Sequence, residues 1–213
     1  MDPIGIFGGT FDPIHVGHLR TALELQQRLS LQEVRFVPCA DPPHRDTAPT
    51  AGALRLDMVA AAIAEEPAFV VDNREFCRGG PSYSVDTLSA IRNENPDVSL
   101  CLLMGMDSFL RLPSWYHWEE IIGLSHIVVA HRPGWQAPNK GPLGRLLADC
   151  GTDQVARLQD TAFGRVFVMS VTQLEISATG LRALLSQGCD PKFLIPDRVR
   201  KIIIQSKCYF EEN

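Results

Sequence analysis

Short continuous runs of apolar residues recur along the chain, separated by stretches in which apolar residues return every three or four positions. Ile4-Gly5-Ile6-Phe7, Val34-Arg35-Phe36-Val37, Phe69-Val70-Val71, residues 100–104, Ile127-Val128-Val129-Ala130 and Val166-Phe167-Val168-Met169 read as strands. Between them, 16–29 spaces Leu19, Ala22, Leu23 and Leu25 as a helix, and a second helix carries Leu54, Met58, Ala61 and Ala62. Residues 84–92 read as a helix opened by a Ser-x-x-Asp-type cap drawn from Ser82, Ser84 and Asp86. Two short helices, 178–187 and 196–206, are expected near the end, parted by Gly188 and Pro191. Most of the strand runs are continuous rather than alternating, as a parallel sheet covered on both faces requires. Strands interleaved with helices make this an α/β fold with a mainly parallel sheet. The Pro-rich stretch 41–49 reads as a loop, and so does 133–144, with its three prolines and three glycines.

Composition narrows the class. At 213 residues, 45% hydrophobic and 21% charged, the chain suits a single domain, 1–213, with a small helical subdomain over about 178–213. A net charge of −5 argues against a nucleic-acid surface, and no run is long enough to cross a bilayer. The first residues lack a signal-peptide pattern, and the six cysteines include no C-x₂-C pair, so a reduced cytoplasmic protein without a structural zinc is expected.

The first strand runs straight into Gly8-Gly9-Thr10-Phe11-Asp12-Pro13-Ile14-His15-Val16-Gly17-His18. Two glycines let the backbone turn and bring N–H groups close to a ligand, and the following helix aims its N-terminus at the same space, which favours anions. His15 and His18 share a helix face and can donate to phosphate oxygens, with Gly17 removing bulk between them. Near the other end, Ile176-Ser177-Ala178-Thr179-Gly180-Leu181-Arg182 reads as a strand end, a cap and a first helical turn. Ser177 suits a helix cap, and the same segment suits a triphosphate site made of hydroxyls, N–H groups and a guanidinium. Neither a Walker A string nor G-x-G-x-x-G occurs.

Four more segments bear on the second substrate: Pro42-Pro43-His44-Arg45, Pro81-Ser82-Tyr83-Ser84, Gly105-Met106-Asp107-Ser108 and Trp115-Tyr116-His117-Trp118. Each alone suits a turn, a cap or a core. In this order and spacing, together with the two phosphate motifs, they resemble the bacterial nicotinate mononucleotide adenylyltransferases, members of the H-x-G-H nucleotidyltransferase superfamily. The resemblance runs nearly the full length and implies a Rossmann-like nucleotidyltransferase fold. It implies that His15, His18 and Arg182 act on the phosphates, with Gly8, Gly9, Thr10, Phe11, Arg132, Ser177 and Thr179 around ATP. It assigns His44 and Arg45 to the mononucleotide phosphate, Asp107 to ribose hydroxyls between the nucleotides, and Tyr83, Ser84, Trp115 and Tyr116 to the nicotinate ring. Cys39 departs from the family, which has a polar residue such as Asn there.

The resemblance further implies in-line attack of the mononucleotide phosphate on the α-phosphorus of ATP, with Mg²⁺ carried by the triphosphate and no dedicated protein ligands. The competing readings are a nicotinamide-preferring enzyme, a phosphopantetheine adenylyltransferase, a cytidylyltransferase and a non-catalytic nucleotide-binding module. Whether the chain works as a homo-oligomer stays open at this point.

Overall fold

The computed structural model describes residues 2–42, 50–131, 138–172 and 174–210. Seven parallel strands form one sheet: β1 (Ile4–Gly9), β2 (Glu33–Pro38), β3 (Phe69–Val71), β4 (Leu100–Gly105), β5 (His126–His131), β6 (Gly151–Thr152) and β7 (Val166–Ser170). Their order is β3-β2-β1-β4-β5-β7-β6. The helices are α1 (Val16–Leu29), α2 (Gly52–Ile63), α3 (Arg74–Arg78), α4 (Ser84–Glu94), α5 (Met106–Arg111), α6 (Gly141–Cys150), α7 (Ala156–Asp160), α8 (Ala178–Ser186) and α9 (Asp197–Ser206). The α/β architecture is the one read from the sequence, Rossmann-like in its topology.

The continuous apolar strands have a simple logic. Successive side chains point to opposite faces, so each strand supplies two cores at once. Leu100, Leu102 and Met104 join Ile4, Ile6, Ile127 and Val129 in one core, closed by Val85, Leu88 and Ile91 of α4. Cys101 and Leu103 join Phe7, Val128 and Ala130 in the other, closed by Ala22, Leu25 and Leu29 of α1 and by Met58 and Val59 of α2. Leu181 and Leu185 of α8 and Val199 and Ile203 of α9 belong to that second core. Gly5 makes the layers fit: a Cβ there would stand 2.9 Å from both Leu103 and Leu31.

Three expectations need correction. The stretch 133–144 is not loop throughout, because α6 begins at Gly141 with Pro142 in its first turn. Proline lacks the N–H that a first turn leaves unpaired, so it opens a helix as readily as it ends one. Gly144 belongs to that helix, where a Cβ would lie 2.6 Å from the Asn139 backbone. Ser82 does not cap α4: its N-cap is Tyr83 with no side-chain bond, and Ser82 Oγ instead accepts from the N–H groups of Ala40 (3.0 Å) and Asp41 (3.1 Å). Finally, Gly8 and Gly9 do not make the turn; both end β1, and the chain turns at Phe11, φ 48°.

β1 and β4 are the neighbours at which the order reverses: β2 and β3 extend to one side, β5 to the other. Loops leaving their carboxyl ends diverge, which opens a crevice where such sheets bind ligands.

Candidate active site

The crevice is there. A cleft of about 1200 Å³ lies over the ends of β1 and β4. Its lining includes Gly8, Gly9, Thr10, Phe11, His15, Gly17 and His18 from the first motif. Ser177 and Thr179 of the second motif line it too, although some 160 residues of chain separate the two.

On the first wall the histidines are stacked, with ring centroids 3.6 Å apart and planes 25° from parallel. His15 is the N-cap of α1, and its backbone N–H donates to Nδ1 of His18 at 3.2 Å. That bond requires Nδ1 of His18 to be unprotonated, so the neutral ring carries its proton on Nε2. Burial keeps the rings neutral: His15 is pushed down to about 4, and His18 to about 3, with the nearby His15 charge adding to the second. Phe11 and Phe7 meet His18 edge to face at centroid distances of 5.2 and 6.3 Å and cover part of its ring, which stays half-buried at the cleft. His15 Nδ1 is buried and has no hydrogen-bond partner among the described residues. Gly17 serves this stack, since a Cβ there would stand 3.0 Å from His15 Nδ1. The His15 ring fills the space beside it, while Gly17 itself lines the cleft. Gly9 has a similar purpose, its missing Cβ making room for the Phe11 ring at 3.1 Å.

Ser177 caps α8, its Oγ accepting from the Gly180 N–H at 3.1 Å. The side chain therefore serves as cap and faces the cleft together. Arg182 is not part of the cleft lining. Its Nη1 donates to the Asp12 carbonyl at 2.7 Å and its Nη2 to Thr179 Oγ1 at 3.3 Å. Asp12 is held from the far side by the Tyr209 hydroxyl, which donates to Oδ1 at 2.7 Å. Burial and the Asp12 carboxylate raise the Tyr209 pKa, so the hydroxyl stays protonated and donating.

The opposite wall gathers Tyr83 and Ser84 from the start of α4, Asp107 from the first turn of α5, and Trp115 and Tyr116. Tyr83 and Tyr116 stack at 4.4 Å and 28°. The remaining rings of the aromatic run turn away: His117 pairs with Glu120 at 2.6 Å, and Trp118 packs on the core. Cys39 lines the cleft, its N–H bonded to the Gly9 carbonyl at 2.9 Å. His44, Arg45 and Arg132 lie outside the described residues.

Two residues escaped the sequence reading. Glu75 is buried against the cleft, with Oε1 accepting from Thr87 Oγ1 at 2.7 Å and Oε2 lacking a hydrogen-bond partner among the described residues. Arg55 is wholly buried, with its guanidinium bonded to backbone carbonyls beside the cleft. Its signal was present: Leu54, Met58 and Ala62 mark the buried stripe of α2, and Arg55 interrupts it with a charge. A lone charge in such a stripe is rarely solvated and needs an internal partner.

Among the described residues no helix is long and apolar enough to cross a membrane. Nor do three His, Cys, Asp or Glu side chains gather there as a metal site.

Known proteins with these features agree with one another. The cytidylyltransferase-like family model matches residues 6–184, a span that contains both phosphate motifs. A probable nicotinate-nucleotide adenylyltransferase of Aeromonas hydrophila is 50% identical over 97% of each chain. A protein of the same name from Methylococcus capsulatus is 43% identical over 97% of this chain and 99% of its own. Among solved structures, Plasmodium falciparum nicotinic acid mononucleotide adenylyltransferase complexed with NaAD superposes with a TM-score of 0.75 over 98% of both chains at 18% identity, a likeness of fold. With half its residues identical to a full-length relative and both motifs on the walls of one cleft, the chain belongs to the nicotinate-nucleotide adenylyltransferases of the cytidylyltransferase-like family.

Proposed function

We propose that this cleft joins ATP to nicotinate mononucleotide, releasing pyrophosphate and forming nicotinate adenine dinucleotide. The observation that carries the reading is the pairing of opposite walls: neutral, stacked imidazoles with helix N-termini on one, stacked aromatic rings on the other. The first suits phosphates, and the second suits a flat pyridine ring.

In this reading the mononucleotide phosphate oxygen bonds to the α-phosphorus as the bond to the bridging oxygen of pyrophosphate breaks. The nucleophile is already ionised, so the protein supplies no base. Its work is alignment and stabilisation of charge on the transferring and leaving oxygens. His18, with its proton on Nε2, donates to a phosphate oxygen without the cost of charging a buried ring. His15, stacked on it, fixes the His18 ring in place beside the phosphates. Gly8, Gly9, Thr10 and Phe11 form the wall beneath the triphosphate, and Ser177 and Thr179 close it from α8. Arg182 stands beside the cleft residue Thr179, with Nη1 on the Asp12 carbonyl and Nη2 on Thr179 Oγ1, at the edge of the phosphate site. Asp107 faces the ribose hydroxyls, and Tyr83, Ser84, Trp115 and Tyr116 frame the nicotinate. His44, Arg45 and Arg132 keep the roles the family pattern implies.

A divalent cation, Mg²⁺ in this proposal, enters with ATP. Among the described residues the cleft offers Asp107 and Glu75 as carboxylates on separate elements, too few for a resident cage, and this donor set fits an ion held mainly by phosphates and water. When bound it neutralises charge on the leaving pyrophosphate.

The test is pyrophosphate release with ATP and Mg²⁺, offering nicotinate mononucleotide, nicotinamide mononucleotide or phosphopantetheine. Strong preference for the nicotinate compound is expected. Preference for nicotinamide mononucleotide would overturn the acid-selective pocket, and preference for phosphopantetheine the substrate class. ATP binding without pyrophosphate release would point to the non-catalytic module.

A further inference from the structure

Among the described residues Arg55 is the one large polar side chain in the group of fully buried residues of greatest volume, and no step of the reaction uses it. Its three nitrogens reach carbonyls from three separate segments. Nη1 donates to Thr10 at 2.7 Å, just after the glycines that end β1. Nη2 donates to Ala40 at 3.3 Å, in the loop that leaves β2. Nε donates to Thr50 at 2.8 Å, just before α2. The chain of bonds continues across the cleft. Ala40 and Asp41 donate to Ser82 Oγ, and Ser82 immediately precedes the stacked Tyr83. The ATP wall and the mononucleotide wall are thus joined through one buried guanidinium and one hydroxyl.

We propose that Arg55 is a positioning residue for the transfer, holding the Gly9-Thr10 segment and the loop after β2 in the register that aligns the two substrates. The inference rests on the adenylyl-transfer reading. A guanidinium suits the task because its planar fork directs several N–H groups at fixed, diverging angles. An ammonium keeps the charge but is a single point, which cannot span three carbonyls. In-line transfer is sensitive to such register, since a displacement of about 1 Å in a reacting pair costs on the order of 10²-fold in rate.

The molecule contains its own control. Arg92 also gathers carbonyls with a half-buried guanidinium: Asn95 at 2.9 Å, Val98 at 2.7 Å, Leu124 at 2.8 Å and Ala162 at 2.8 Å. Those carbonyls precede β4, β5 and β7, so this second clamp sits at the end of the parallel sheet opposite the cleft.

The experiment measures denaturation midpoints and steady-state kinetics of the full chain for Arg55→Lys and Arg92→Lys, each assayed well below its melting temperature. Arg55→Lys is expected to lose about 10²-fold in kcat/KM, with KM raised for both substrates, while Arg92→Lys stays within about threefold of the parent. Arg55→Lys within that same range, or equal losses in both variants, would overturn the inference. If Arg55→Lys fails to fold, Ser82→Ala breaks the next link without disturbing the guanidinium. It is expected to raise KM for the mononucleotide about tenfold and leave KM for ATP in place, about the weight of one hydrogen bond. Unchanged KM values for both substrates would overturn it. A parent enzyme that releases no pyrophosphate overturns the function and this inference with it; an active parent isolates the role of Arg55.

Discussion

The stacked imidazoles make the protein's stability depend on pH in a way that can be worked out. Both rings titrate below the ordinary 6.5, His15 at about 4 and His18 at about 3, because burial penalises their charged forms. The unfolded chain therefore binds protons that the folded one refuses. Their contribution to stability is complete above pH 6.5 and is lost as pH falls toward the folded values. At pH 5 an unfolded histidine is nearly all charged, whereas roughly a tenth or less of either ring is charged in the fold, which costs about 2 kcal/mol per ring. The figure hardly changes for any folded value of 4 or below. Cleft water reaching the partly exposed His18 trims its share toward about 1 kcal/mol. Together the pair removes about 3–4 kcal/mol between pH 8 and pH 5, a large part of a typical stability of about 5–15 kcal/mol.

His18→Asn tests this cleanly. The Asn oxygen takes the place of Nδ1 and accepts the same bond from the His15 N–H, but it does not titrate. Urea midpoints measured at pH 8, 6.5 and 5 should fall less steeply in the variant, by about 1–2 kcal/mol over that range. The variant also lacks the Nε2 donor, so turnover at pH 8 should drop by about 10²–10³. Parallel stability profiles in the two proteins would refute the assignment of the acid-labile term to this pair. Turnover within about tenfold of the parent would show that His18 is not a transition-state donor.

Other changes separate packing from chemistry. Gly5→Ala forces a Cβ against Leu103 and Leu31 and should cost about 1–3 kcal/mol in a denaturant titration, with kcat unchanged. Gly17→Ala pushes on the His15 ring at 3.0 Å and should lower turnover by about tenfold or more; the helix itself gains, since Ala exceeds Gly in propensity by about 1 kcal/mol. Unchanged kinetics for Gly17→Ala would mean that the stack has no part in transfer. Ser177→Ala removes the α8 cap and should lose about 1 kcal/mol of thermal stability while raising KM for ATP; a stability loss with KM unmoved would confine Ser177 to capping.

Much of the site was legible because its chemistry is written in contiguous strings. Gly8-Gly9-Thr10-Phe11 through His18 fall in one strand-to-helix connection, and Ser177-Ala178-Thr179 in another. The strands were legible because burial on both faces leaves continuous apolar runs. The misreadings share a cause. Glycine and proline at 133–144 read as loop formers in the sequence, yet Pro142 starts a helix and Gly144 admits a neighbouring backbone. Gly17 lines the cleft, and its missing Cβ also admits the His15 ring, a packing role that only the tertiary structure shows. Composition reports that a position lacks a side chain; it does not report what fills the room.

By itself the chain's order of residues determined the alternation of strands and helices, the sheet's parallel sense and the two phosphate-type motifs. Each follows from local periodicity or from groups only a few residues apart. The tertiary structure decided where those motifs meet, because only the reversal between β1 and β4 opens a cleft that faces both. It also decided the charge state of the histidines, which burial in the fold keeps neutral, with Phe7 and Phe11 packed edge to face on His18. Arg55 depended on it most: its three carbonyl partners lie 5, 15 and 45 residues away, and no local pattern brings them to one guanidinium.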